Sequence, residues 1–309
     1  MAITDAFKTS GFLYLKNFGV PPAIVSRVFN ESARFFERPQ EQKDSLGWTT
    51  PESNRGYVGR GKEKLSLPHE ADHVEEIRSS NPDLKEHMEI GREGVKDLPN
   101  RWPDQLDDEG REFKEVMTSF FLTCKDIHTQ IMRALALGMN LPEHFFDEFV
   151  DVGENNLRLL HYPPTPKEIF RANPDQVRAG EHSDYGSLTL LFQDARGGLQ
   201  VQSPKGTFID ATPIPDAIVV NAGDLLARWS NDTIKSTRHR VVEPPRNMTE
   251  GDESDEYPAR YSIAYFCNPN FNKFIEALPG TYDEDEAIPK KYAGINAGDY
   301  LVQRLAATY

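Results

Sequence analysis

Cysteine is scarce in this chain of 309 residues, with Cys124 and Cys267 its only two. They lie far apart and neither has metal-ligand spacing, which points to two buried thiols in a reducing compartment and excludes a disulfide framework. Positive charge is in deficit. Lys and Arg number 35 against 49 Asp and Glu, for a net charge of −14. Phosphate binding needs a basic stripe, so nucleic acid and anionic membrane are excluded as expected partners. No run approaches the ~18 uninterrupted apolar residues of a membrane span. Met1–Asp5 lacks the basic and apolar regions of a signal peptide, and Ala307-Thr308-Tyr309 is no peroxisomal-type address, so the expected location is the cytoplasm. Nucleotide signatures are missing too. No G-x-G-x-x-G opens a helix, Gly59-Arg60-Gly61 is too short to serve, and there is no P-loop or G-x-S-x-G serine.

Patterned segments make up the rest. Gly11–Leu15 reads as a strand, and a helix follows Pro21-Pro22 with Val25, Val28 and Phe29 on one face. Residues 41–111 are polar and predict loop and short helix, pinned by Trp48, Tyr57 and Trp102, with His69, His73 and His87 facing solvent. From Phe113 to Leu137 apolar residues recur in steps of three and four, which predicts a long bracing helix with His128 at the edge of its stripe. Beyond residue 155 short strands alternate with turns: Leu157–Tyr162, Ser187–Gln193, Leu199–Gln202, Phe208–Asp210, Ile218–Asn221, Thr237–Val242 and Arg260–Cys267. That spacing suggests a mainly β core with flanking helices, closed as a jelly roll. The acidic stretch Glu243–Pro258 predicts a solvated loop, and Lys290–Tyr309 a final helix.

Among these strands the chain carries His182-Ser183-Asp184, His239 and Arg260-Tyr261-Ser262. Alternate strand residues share a face, so His182 can point with Asp184, and Arg260 with Ser262. Two imidazoles and one carboxylate hold one face of an octahedral iron(II) and leave three positions for a bidentate co-substrate and dioxygen. An Arg–Ser pair suits the far carboxylate of that co-substrate, since a guanidinium fork matches two oxygens. The pattern implies oxidative chemistry with iron and 2-oxoglutarate.

These residues occur with further markers in a fixed order: Gly11–Leu15, Tyr162-Pro163-Pro164, Gly198-Leu199-Gln200-Val201, Asn221-x-Gly223-Asp224 and Ser236-x-x-His239-Arg240. Together they make the chain resemble the iron(II)/2-oxoglutarate-dependent oxygenases of the isopenicillin-N-synthase-like superfamily, over nearly its whole length. The resemblance implies a double-stranded β-helix core and one oxygenase domain over 1–309, with a mostly helical region at 1–150, the catalytic core at 151–275 and a helical tail at 276–309. It also implies His182, Asp184 and His239 as catalytic metal ligands, Arg260 and Ser262 at the C5 carboxylate of 2-oxoglutarate, Tyr162 at its C1 end, and stimulation by ascorbate. Two departures stand out. The family's lead-in strand before Gly11 is missing or very short, and the stretch from His239 to Arg260 is longer than usual.

Gly47–Glu52, Asn54–Tyr57, Leu157–Tyr162, Ala179–Asp184, Ala222–Lys235 and Tyr300–Tyr309 are similar to the fungal thymine 7-hydroxylase group. That similarity implies hydroxylation of the thymine methyl, with further oxidation to aldehyde and carboxylate. The residues suit a planar pyrimidine base. Tyr185 follows the metal carboxylate, Phe266 and Arg158 lie on inward strand positions, and Asn155 or Asn156 offers both donor and acceptor. A secondary-metabolite substrate for the same chemistry, or an inactive ligand-binding protein, are the competing expectations.

Overall fold

The computed structural model describes residues 2–49, 53–61, 83–245, 254–283 and 288–306. Fifteen strands are defined in these segments. They are β1 (Phe12–Lys16), β2 (Gly56–Val58), β3 (Glu86–Gly91), β4 (Asn156–Tyr162), β5 (Thr165–Pro166), β6 (Ala179–His182), β7 (Leu188–Gln193), β8 (Leu199–Gln202), β9 (Phe208–Asp210), β10 (Ala217–Ala222), β11 (His239–Val241), β12 (Glu256–Tyr257), β13 (Arg260–Cys267), β14 (Phe274–Ile275) and β15 (Ile295–Asn296). The α-helices are α1 (Ala2–Thr9), α2 (Pro22–Glu37), α3 (Gln40–Ser45), α4 (Asp108–Gly138), α5 (Asp147–Val150), α6 (Lys167–Ala172), α7 (Asp224–Trp229) and α8 (Ala297–Ala306).

The long helix forms as its periodicity requires. The Asp107 side chain accepts the Gly110 N–H at 2.7 Å and caps α4. Its stripe Phe113, Phe120, Cys124, Ile127, Ile131 and Leu135 is buried, each large side chain contributing roughly 1.5–3 kcal/mol by leaving water. The stripe packs on one face of a seven-stranded sheet ordered β1-β10-β7-β13-β4-β3-β2, with Phe120 edge-on to Phe192 and Phe121 edge-on to Tyr265. The opposite face of that sheet looks toward a four-stranded sheet, β6-β11-β8-β9. Leu160, Tyr162, Ala179, Leu199, Val241 and Ala264 form a second apolar cluster drawn from both sheets. One sheet therefore separates two cores, one braced by helix and one holding a cavity.

The expected jelly roll is corrected by this pairing. Neither large sheet closes into a barrel or a double-stranded β-helix among the described residues, and the remaining pairs β5-β12 and β14-β15 stand apart. The fold is α+β with several open sheets. The strand list was readable because short apolar runs and the turns between them are local signals; closure was not, because it depends on which strands bond to which across more than a hundred residues, as β1 does with β10.

Other expectations shift as well. Helix α1 occupies the place of the family's lead-in strand, which is absent before Gly11 among the described residues, and it seats against the end of α4, where a Cβ on Gly138 would fall 1.7 Å from Thr4 Oγ1. The polar region 41–111 contains two strands, β2 and β3, that its composition did not suggest. Strand β3 is buried throughout despite carrying Glu86, His87 and Glu89. His87 is 1% exposed and not solvent-facing; His69 and His73 fall outside the described residues. Glu86 is stabilised by Lys43 at 3.0 Å, by His161 at 2.7 Å and by the Tyr57 hydroxyl, partners that come from three distant segments. Half of the acidic stretch 243–258, residues 246–253, also lies outside the described residues. Its end forms β12, where Tyr257 is buried and donates to Glu243 at 2.8 Å. The C-terminal helix is present over Ala297–Ala306. No described helix is long and apolar enough to cross a membrane.

Candidate active site

His182 ends β6 and His239 begins β11, and the two are direct partners in the antiparallel ladder. Cross-strand partners bring side chains together, and here the ring centroids are 4.3 Å apart. Asp184 reaches them differently from expectation. It lies beyond the end of β6, in the corner before β7, so a turn and not strand alternation delivers it. That corner is packed tightly enough to require glycine. A Cβ on Gly223 would meet Gly186 O at 2.4 Å, and one on Gly186 would meet Cys267 O at 2.2 Å.

His182, Asp184 and His239 offer three ligand atoms that all lie within 4.8 Å of one another. Asp184 Oδ1 is 3.9 Å from His182 Nε2 and 3.7 Å from His239 Nε2, against ~3 Å for adjacent donors on an octahedral first-row ion. His182 Nδ1 bonds to Gly180 O at 2.8 Å, which fixes the proton there and leaves Nε2 as the ligand atom. His239 Nδ1 faces Thr237 O at 3.4 Å in the same sense. The other carboxylate oxygen of Asp184 accepts from Thr189 Oγ1 at 2.6 Å and from Asn221 Nδ2 at 2.7 Å. Thr189 and Asn221 are themselves partners across β7 and β10.

Electrostatics favour the charge states that a metal needs. Burial, together with the neighbouring His239, pushes the His182 pKa down to about 4, so the imidazole is neutral at pH 7. Burial opposes charge on Asp184, but His239, His182 and the bonds from Asn221 and Thr189 outweigh it and hold the carboxyl below its ordinary range. The donor set, its tautomers and its charges fit a divalent iron.

The same cavity is lined by Arg260, Ser262, Tyr162, Arg158 and Phe266. Arg260 is 1% exposed. Its Nε donates to Gly197 O at 2.9 Å and its Nη1 to Ser262 Oγ at 3.1 Å, and its guanidinium sits 4.9 Å from the Tyr162 ring centroid. At the other end the Arg158 guanidinium lies 5.2 Å from the Phe266 ring centroid and bonds to the buried Glu89. Tyr185 follows Asp184 in the corner, with Arg304 over its ring.

Asn155 sits elsewhere. Its amide is engaged by the Tyr265 hydroxyl at 2.9 Å and the Asn268 N–H at 2.9 Å, both scaffold contacts. Asn156 shares the strand face of Arg158, and its Oδ1 is buried without a hydrogen-bond partner. Sequence reasoning gave no role to Thr189, Asn221 or Glu89. The Asn221-x-Gly223-Asp224 marker was the available signal for Asn221, while nothing local distinguished Glu89 from a surface carboxylate.

Residues 153–269 match the family model described as the 2OG-Fe(II) oxygenase superfamily, and residues 1–105 match that of the non-haem dioxygenase in morphine synthesis N-terminal. The 2-oxoglutarate-dependent dioxygenase gloF of Glarea lozoyensis is 34% identical over 99% of this chain and 92% of its own length. The chain belongs to the 2OG-Fe(II) oxygenase superfamily. This oxygenase is accordingly an enzyme, a dioxygenase that uses iron(II), 2-oxoglutarate and dioxygen. Among solved structures it is similar to the full-length thymine-7-hydroxylase of Neurospora crassa in complex with alpha-KG and thymine, at 59% identity and TM-score 0.89, covering all of this chain and 90% of that one. The same relative in complex with alpha-KG and 5-formyluracil gives 56% identity and TM-score 0.86, over 99% and 89% of the two chains. A 2OG-Fe(II) oxygenase family protein from Caulobacter crescentus, 29% identical, superposes with TM-score 0.79 over 98% of this oxygenase and 92% of its own chain.

Proposed function

We propose that this oxygenase hydroxylates the methyl group of thymine and can oxidise the product further to the aldehyde and the carboxylate, with ascorbate stimulating turnover. The observation that carries this reading is the near-full-length likeness to the Neurospora crassa thymine-7-hydroxylase, solved with alpha-KG and with either thymine or 5-formyluracil. The cavity supports it independently. A pyrimidinedione has two flat faces and an edge that alternates carbonyl acceptors with N–H donors.

In this reading His182, Asp184 and His239 hold the metal, and Arg260 with Ser262 takes the far carboxylate of 2-oxoglutarate while Tyr162 supports its near end. Bound iron(II), with 2-oxoglutarate and dioxygen, supplies an oxidant able to insert oxygen into a C–H bond as 2-oxoglutarate loses carbon dioxide to become succinate. The chain supplies position and a dry environment. Arg158, held by Glu89, donates to a ring carbonyl. Asn156 Oδ1 accepts a ring N–H in place of the role first expected of Asn155. Phe266 and Tyr185 offer aromatic faces to the ring, worth about 0.5–1.5 kcal/mol each beyond the area they bury.

The test is a substrate panel. Purified protein with iron(II), ascorbate and 2-oxoglutarate is offered thymine, uracil, thymidine and free proline, the last because a relative 33% identical is a proline hydroxylase. Thymine should stimulate succinate release well above the others, with hydroxymethyluracil as the first product. Stimulation by proline, or by none of the four, would reject the assigned substrate.

A further inference from the structure

Arg304 of helix α8 meets the corner that carries Asp184 and Tyr185. Arg304 Nη2 lies 2.9 Å from Asp224 Oδ2, with both side chains 19% exposed, and its guanidinium carbon is 4.6 Å from the centroid of the Tyr185 ring. Asp224, the first residue of α7, also accepts from Ser183 Oγ at 3.0 Å and from Ser236 Oγ at 2.5 Å. Ser183 stands between His182 and Asp184, and Ser236 lies three residues before His239. A single carboxylate thus ties the metal-ligand corner, the approach to β11 and α8 together. An ion pair between exposed side chains would contribute little. This one is largely buried, and it aims its cation at an aromatic face.

We propose that Arg304 is a positioning residue for Tyr185. Its cation occupies one face of the ring, and Asp224 fixes the cation, so that Tyr185 cannot swing away from the face it presents to a planar substrate. The role couples the C-terminal helix to substrate binding while leaving the metal and the carboxylate clamp to other elements. It rests on the reading of Tyr185 as a substrate-facing ring.

A cation over an aromatic ring contributes enough to change an equilibrium by roughly 2- to 30-fold. Arg304→Met removes the charge at similar length. Thymine binding to protein loaded with 2-oxoglutarate and a redox-inert divalent ion, measured by calorimetry, is expected to weaken about 3- to 30-fold. The thymine KM should rise by the same factor, with kcat and the 2-oxoglutarate dissociation constant within about twofold of the parent. Arg304→Lys keeps a cation and should recover most of the loss. In a Tyr185→Leu background Arg304→Met should add little, because the coupled partner is already gone. Unchanged thymine binding in Arg304→Met would overturn the proposal. So would equal weakening of thymine and 2-oxoglutarate, which marks general damage, or a Lys variant no better than Met. If the parent protein does not bind thymine at all, the assigned substrate fails instead, and the two failures are distinguishable.

Discussion

Asn221 offers the sharpest perturbation of the metal site that leaves all three ligands in place. Its amide donates to Asp184 Oδ2 at 2.7 Å, beside the 2.6 Å bond from Thr189, and Asp184 is only 6% exposed. Water can do little to replace a lost donor there. Asn221→Leu keeps the volume and removes one of the two donors. A hydrogen bond to a charged group contributes about 1.5–3 kcal/mol, or roughly 10- to 150-fold in an equilibrium constant. Loss of outer partners of metal ligands typically costs about 10- to 100-fold in affinity. The two ranges agree, so the metal dissociation constant is expected to rise about 10- to 100-fold. The acid limb of metal binding should also move to higher pH, because the missing bond had favoured the charged carboxylate and only that form binds metal. Calorimetric titration with iron(II) under argon, repeated between pH 5 and 8, measures both effects. A dissociation constant within twofold of the parent, in a protein that still melts cooperatively, would show that Asp184 is oriented by something other than these bonds.

Two further outcomes follow from other parts of the structure. Arg260→Ala should raise the 2-oxoglutarate dissociation constant by about two orders of magnitude while iron affinity changes little, since it bonds to Gly197, Ser262 and Gln193 and sits on the Tyr162 ring, none of them a metal ligand; calorimetry with each ligand separates the two, and equal losses would count against the clamp. Burial works against charge on Glu86, but His161, Tyr57 and Lys43 overcome it and bring its pKa to about 2 from an ordinary 4.5. A folded-state pKa below the unfolded one contributes stability that is complete above about pH 4.5 and fades as pH falls towards 2. The urea midpoint of the parent should therefore exceed that of Glu86→Gln at pH 7 and converge on it below pH 3, and a gap independent of pH would contradict this.

How much was legible in the sequence depended on where the determining contacts lie. Strands β4, β7, β8 and β13 are short apolar runs bounded by turn residues, and α4 announces itself by period, so the strand bounds were readable to within one residue and those of α4 to within five. Arg260 and Ser262 do share a face, as alternation predicts, and bond to each other. Strand β3 was hidden because Glu86, His87 and Glu89 read as surface residues. Their burial makes sense only beside Lys43, His161 and Arg158, which are remote in sequence. The meeting of His182 with His239 likewise depends on ladder register between strands 57 residues apart. Asp184 joins them through a glycine-lined corner that strand parity does not describe. Closure into a jelly roll was expected from strand spacing and from the family resemblance, and neither determines which edges pair in this chain.

The most direct test of the central assignment follows both oxygen atoms of dioxygen. With iron(II), 2-oxoglutarate, thymine and oxygen-18 gas, mass spectrometry should find one labelled atom in succinate and one in the hydroxymethyl group of the pyrimidine, the two products accumulating in equal amounts at early times. Labelled succinate that forms at the same rate without thymine, and no labelled base, would contradict the account.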